Sequence, residues 1–186
     1  IHKILSLGLG SLTAPEKGQT RRLKQLAIFL AIRAELSRKS GIEIHLYAQD
    51  PVFTRADESF LSSFSVGILR TTSGTSLGEA ETIIDSLTLV YSPFLTLEAY
   101  EALLLGRRES VHAVRYLIGD DFAELEAKWP KRSEERRLVE KVVKGSVRGY
   151  KRRVVTGEGF WEDVDAAFGM GVYVKVDEGR GKGKSR

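Results

Sequence analysis

Short apolar runs alternate with helical segments along most of this 186-residue chain, and that alternation limits the fold more than any other feature. The first run, Lys3-Ile4-Leu5-Ser6-Leu7, enters the turn Gly8-Leu9-Gly10-Ser11. From Thr20 to Lys39 the pattern is helical, with Leu23, Leu26, Ala27, Leu30, Ala31 and Ala34 at three- and four-residue steps. Gly41 is placed to end that helix, since glycine tolerates a left-handed cap. Further strands are expected over Ile42–Ala48, Val66–Leu69, Ser86–Tyr91 and Val111–Ile118. Helices are expected from Thr54, over Thr96–Leu105, over Phe122–Lys128 and over Ser133–Ser146. Gly149–Gly157 and Gly171–Val176 also read as strands, and Gly157–Gly171 between them as irregular.

Strands separated by helices require right-handed crossovers and a mainly parallel sheet. The expected fold is therefore α/β and Rossmann-like, with about five or more strands flanked by helices. One domain is expected over residues 1–177, with a disordered basic tail over 178–186. The chain opens on Ile1 and its only methionine is Met170, which points to a natural start lying upstream.

Composition narrows the function classes. Cys is absent, which excludes disulfides, thiolate catalysis and cysteine metal sites, and fits an intracellular protein. No apolar run approaches the ~18 residues of a membrane span, and no signal-peptide pattern opens the chain. Eleven Lys and Arg against three Glu fall between Lys128 and Arg153, a local excess of +8 in a chain of net charge +4. That segment is either a solvated helix face with charge pairs or a nucleic-acid-binding surface. Sparse aromatic interleaving favours the first.

In parallel sheets the ligand crevice lies beyond the carboxyl ends of the strands. The chain's punctuation falls there. Gly8, Gly10 and Ser11 follow the first strand, and Asp50-Pro51 the second. Ser92-Pro93 follow the fourth and Gly119-Asp120-Asp121 the fifth. The glycines let backbone amides approach a ligand, although Thr13 stands where G-x-G-x-x-G wants its third glycine. Two readings stand for Asp50: an acceptor for ribose hydroxyls, or a turn carboxylate that caps local amides. Asp57 either adds a second carboxylate to the crevice or completes a helix cap with Thr54. Asp120 and Asp121 read as a loose acid pair or as acids favoured by a helix N-terminus. Phe53 and Tyr91 either stack on a base or pack in the core. His2, His45 and His112 show no metal-ligand spacing, and no metal site is expected. G-x-S-x-G is absent, as is a P-loop after any strand.

Taken together, these stretches resemble the Sensitivity to Red Light Reduced-like domain family, in a fungal-type member. The resemblance rests on Leu7-Gly8-Leu9-Gly10-Ser11, Gln25, Gln49-Asp50-Pro51-Val52-Phe53-Thr54 with Asp57, and Ser65-Val66-Gly67-Ile68. It continues through Val90-Tyr91-Ser92-Pro93, Thr96–Leu105 and Leu117-Ile118-Gly119-Asp120-Asp121-Phe122, then loosely to Ala167-Phe168. Phe94 and Leu95 depart from it, since many relatives carry His and Cys there. The resemblance implies a Rossmann-like domain in an intracellular eukaryotic protein, cytoplasmic or nuclear. Plant relatives are linked to light signalling and the circadian clock; animal and fungal relatives to growth, regulation of haem biosynthesis and microtubule-related phenotypes. No settled activity comes with the family. The functional expectation is a regulatory domain binding a small nucleotide-like ligand or a protein partner at the carboxyl edge. The alternatives are an enzyme using a nucleotide or S-adenosylmethionine in the same cleft, and a nucleic-acid-binding module.

Overall fold

A computed structural model describes residues 1–15, 18–93, 95–106, 114–155 and 169–176. The strands are β1 (Lys3–Leu7), β2 (His45–Gln49), β3 (Val66–Leu69), β4 (Thr88–Ser92), β5 (Tyr116–Asp120), β6 (Tyr150–Val155) and β7 (Met170–Lys175). The helices are α1 (Gln19–Ser40), α2 (Arg55–Ser62), α3 (Ala80–Ile83), α4 (Leu97–Leu105), α5 (Phe122–Lys128) and α6 (Glu134–Gly145). They build one seven-stranded sheet in the order β3-β2-β1-β4-β5-β7-β6. β1 pairs in parallel with β2 and β4, and the parallel ladder extends to β3 and β5. β7 runs antiparallel between β5 and β6. Because β1 lies beside both β2 and β4, the chain reverses its direction of travel across the sheet there, which is the topological switch point.

The pleat sends alternate residues to opposite faces. Ile4, Leu46, Leu89 and Tyr91 pack with Leu26 and Phe29 of α1 and Leu61 of α2. Leu5, Leu7, Val90 and Leu117 pack on the other face with Tyr100, Leu103, Phe122, Val139 and Val142 from α4, α5 and α6. All five residues of β4 are buried, as expected of a parallel strand covered on both faces.

Several local signals act as the sequence indicates. α1 ends on Gly41 at φ 69°, whose N–H bonds the Ser37 carbonyl. α2 opens on a capping box between Thr54 and Asp57. α5 stops before Trp129-Pro130. Other boundaries move. β2 starts at His45, an exposed residue on an interior strand. β5 begins at Tyr116 and runs through Gly119 and Asp120, which the sequence places in a loop. The cause is β7, whose Gly171 and Met170 pair with Gly119 and Asp120 and carry the ladder past the glycine. On α6 the fully buried residues are Val139 and Val142. The expectations for Val111–Ala113, for most of Gly157–Gly171 and for the 178–186 tail fall outside the described residues.

No described helix is long and apolar enough to cross a membrane. Among the described residues the sheet edges are β3 and β6, and β6 carries Lys151, Arg152 and Arg153 in succession, all exposed.

Candidate ligand cleft at the carboxyl edge

The turn after β1 sets the geometry. Gly8 and Gly10 adopt φ 73° and 74°, in the left-handed region that glycine enters without strain. A Cβ on Gly10 would sit 2.6 Å from Cδ of Arg22, whose side chain lies over the turn. Several amides of this turn are bonded within the protein. Gly10 N–H donates to Asp50 Oδ2 at 2.8 Å. Leu12 N–H and Thr13 N–H both donate to Asp57 Oδ1 at 2.8 Å. The Ser11 hydroxyl donates to Asp57 Oδ2 and the Thr13 hydroxyl to Oδ1, also at 2.8 Å. Thr54 adds its N–H at 2.8 Å and its hydroxyl at 2.9 Å to Asp57 Oδ2.

Asp57 is fully buried. Burial alone would raise its carboxyl, but the hydrogen bonds from Thr54, Thr13 and Ser11 outweigh that and hold it well below the usual carboxylate range. It caps α2 and staples the β1–α1 turn to that cap. Asp50 is half-buried; besides Gly10 it accepts Val52 N–H on Oδ1 at 2.9 Å, an Asx turn ahead of α2.

Beyond this turn lies a cleft of about 200 Å³. Leu7, Gly8, Gln49, Asp50 and Pro51 form one wall, at the carboxyl ends of β1 and β2. Thr71, Ser73, Gly74, Ser76 and Leu77 form the second. Leu95, Thr96 and Ala99, at the start of α4, form the third. Gln49 holds the second wall in place: its Nε2 donates to Leu77 O at 2.8 Å, and its Oε1 accepts Ala80 N–H at 3.0 Å. The Thr96 hydroxyl donates to Gly74 O at 3.3 Å while capping α4 through Ala99 N–H. Asp50 is the one ionisable residue among the described lining residues.

The structure thus distributes the residues singled out in the sequence. Gly8, Asp50 and Pro51 line the cleft. Gly10 and Ser11 stand behind it, their donors bound to Asp50 and Asp57. Asp57 takes the capping role, because all its oxygens' partners are internal to the two loops. Phe53 does not line the cleft; it packs against the core beneath α1 and α2. Tyr91 is fully buried, stacked on Phe29 at 5.9 Å, with its hydroxyl donating to Gln25 O at 3.2 Å. Ser92 and Pro93 are buried at the end of β4.

Asp120 belongs to a separate polar knot. Tyr100 Oη lies 2.6 Å from Ser92 O and 3.0 Å from Asp120 Oδ2, so its single proton is shared between two acceptors. The same oxygen accepts Asp120 N–H at 3.0 Å. Burial, reinforced by the Asp120 charge, pushes the Tyr100 phenol well above its ordinary range. Tyr100, Phe122 and Tyr173 stack edge to face at 5.0 and 5.4 Å and fill the carboxyl end of β5. Asp121 caps α5 through Ala123 N–H at 2.9 Å and pairs with Arg152. The β5 end is therefore packed, and the described lining of the cleft comes from the carboxyl ends of β1 and β2, the loop after β3 and the start of α4.

The sequence did not single out Gln49, Thr96, Ala99 and Tyr100 for these roles. The Thr/Ser/Gly-rich stretch from Thr71 to Gly78 was the visible sign of the second wall. Among the described residues no group of three or more His, Asp or Glu is arranged to hold a metal ion. The basic segment is split between α6 and β6 and is partly paired. Arg136 meets Glu126 and Glu140 at 2.9 and 3.2 Å, Lys144 meets Glu140 at 3.3 Å, and Lys141 meets Glu101.

A parallel sheet with a switch point at β1/β4, one antiparallel strand in the penultimate position and a cleft at the carboxyl edge defines a Rossmann-like α/β domain. The SRR1 domain model (Sensitivity to Red Light Reduced) matches residues 1–158, and the chain belongs to that family. No curated protein sequence matches it significantly. Solved structures similar to it include the fibrillarin chain of a fibrillarin/Nop5p complex, at 12% identity and TM-score 0.46 over 94% of this chain and 72% of that one. Fibrillarin of Methanococcus jannaschii, a pre-rRNA processing protein, is similar at 15% identity and TM-score 0.47, over 94% of this chain and 66% of that one.

Proposed function

We propose that this SRR1 domain is a regulatory module that binds a small nucleoside-bearing ligand in the cleft at the β1/β2 edge. The observation that carries the reading is Asp50: a carboxylate at the carboxyl end of the second strand, lining a cleft beside the switch point. An acid at that place is disposed to accept hydrogen bonds from a ribose diol. Leu7, Leu77, Leu95 and Ala99 supply apolar surface for a base, and Thr71, Ser73, Ser76 and Thr96 supply hydroxyls. A cleft of about 200 Å³ is below the roughly 300–1,000 Å³ of drug-sized sites, which suits a nucleoside better than a dinucleotide. The described lining holds no histidine, lysine or nucleophile–base pair, which supports binding over catalysis. The ion pairs within the basic segment support a solvated surface over a nucleic-acid groove.

The test is thermal unfolding in the presence of adenosine, S-adenosylmethionine, NAD and ATP, since a ligand of the native state raises Tm by mass action. At a concentration of ~100 Kd, a bound ligand stabilises by about 2.7 kcal/mol. Asp50→Asn, which keeps an acceptor for Gly10 N–H, should weaken the interaction at least about tenfold. Unchanged Tm with every ligand at millimolar concentration sinks the proposal.

A further inference from the structure

Building on that cleft reading, we infer that the site takes unphosphorylated nucleosides, neutral or cationic, and rejects nucleotide phosphates. Four of the amides that a Rossmann-like turn could offer to a phosphate, those of Gly8, Gly10, Leu12 and Thr13, are bonded internally. Such turns bind phosphate through free backbone N–H groups after the first strand. Here Gly10 N–H is taken by Asp50, and Leu12 and Thr13 N–H by Asp57. Two of the protein's own carboxylates occupy the positions an anionic ligand would use. The room left by Gly10's missing side chain is filled by Arg22, whose guanidinium donates to Ala14 O. Neither Arg22 nor Ala14 lines the cleft.

The rest of the lining offers no compensation. Asp50 is the one ionisable residue among the described lining residues, and it is negative. Arg70, next to the lining Thr71, is ion-paired with Glu58 and donates its backbone N–H to Glu79. The α4 N-terminus, the electropositive feature facing the cleft, is capped by Thr96 and carries Glu98 in its first turn. Among the described lining residues, a phosphate on the ligand would therefore meet a carboxylate and no cation. A sulfonium or ammonium substituent would be attracted.

The experiment is calorimetric titration of the full chain with adenosine, S-adenosylmethionine, AMP and ATP at ~0.15 M salt. Adenosine and S-adenosylmethionine should bind at least about tenfold more tightly than AMP, the scale of one like-charge contact at partly screened range. In Asp50→Asn the gap between adenosine and AMP should shrink, because the opposing charge is gone. AMP or ATP binding as tightly as adenosine to the wild-type chain overturns the inference while leaving the cleft reading intact. No binding by any of the four overturns both.

Discussion

Asp57 holds Thr13 by two hydrogen bonds of 2.8 Å, one from its N–H and one from its hydroxyl, across 44 residues of sequence. The same carboxylate caps α2, so two loops share one buried anion. Asp57→Ala would strip acceptors from the N–H groups of Leu12, Thr13 and Thr54 together. Each unsatisfied buried donor costs roughly 1–3 kcal/mol, and the expected loss is about 3–5 kcal/mol. Urea denaturation measures it. A loss under about 1 kcal/mol would show that the staple contributes little.

Acid should expose the same group. The folded-state Asp57 carboxyl is held below its ordinary value near 3.9, so its contribution is full above that pH and fades as pH falls further. Asp85 behaves alike. Burial would raise it, but Lys3, Thr88 and the Leu87 N–H hold it at about 2. Stability should therefore drop between pH ~4 and ~2. The drop should be shallower in Asp57→Asn, which cannot titrate. Equal slopes in both proteins would refute this linkage.

Gly10→Ala combines two costs that a mutant cycle can separate. The φ of 74° disfavours any side chain by about 1 kcal/mol, and the new methyl would meet Arg22 Cδ at 2.6 Å. The expected total is roughly 1–2 kcal/mol. In an Arg22→Ala background the steric part should vanish and the backbone part persist. Strict additivity of the two substitutions would argue against the contact.

Gly119 and Tyr100 form a second testable pair. A Cβ on Gly119 would lie 2.7 Å from the Tyr100 hydroxyl oxygen. Gly119→Ala should therefore displace the hydroxyl from Ser92 O and Asp120, costing about 2–3 kcal/mol. Tyr100→Phe should cost about 1–3 kcal/mol by itself, since Asp120 N–H then lacks its acceptor. Adding Gly119→Ala to Tyr100→Phe should cost little more. Chemical denaturation of the four proteins would show it.

What the sequence reveals here is what neighbouring residues decide. The Thr54–Asp57 box, the Gly41 cap and the stop at Trp129-Pro130 depend on a few adjacent positions, and each is readable in order. The alternation of strands and helices likewise carries the parallel half of the sheet. Asp120 was less readable, because its place in a strand depends on Met170, 50 residues away. Gln49 is similar: as the last residue of a strand it looks like punctuation, yet its amide fixes a loop at Leu77 and Ala80. The amides of the glycine turn mislead most. The sequence shows that they exist, but not that carboxylates 40 and more residues later already occupy those of Gly10, Leu12 and Thr13.

The run Lys151-Arg152-Arg153 on β6 has a consequence for how copies of the protein behave together. Among the described residues β6 is paired on one side only, so its other row of backbone donors and acceptors has no described partner strand. An unpaired edge invites a second sheet to add to it, and consecutive positive charges make that approach repulsive. Arg152 spends its charge on Asp121, so Lys151 and Arg153, on the opposite face, supply the repulsion. Such repulsion is screened within about 10 Å at 0.1 M salt. The colloidal tolerance of this domain is thus tied to ionic strength through two side chains.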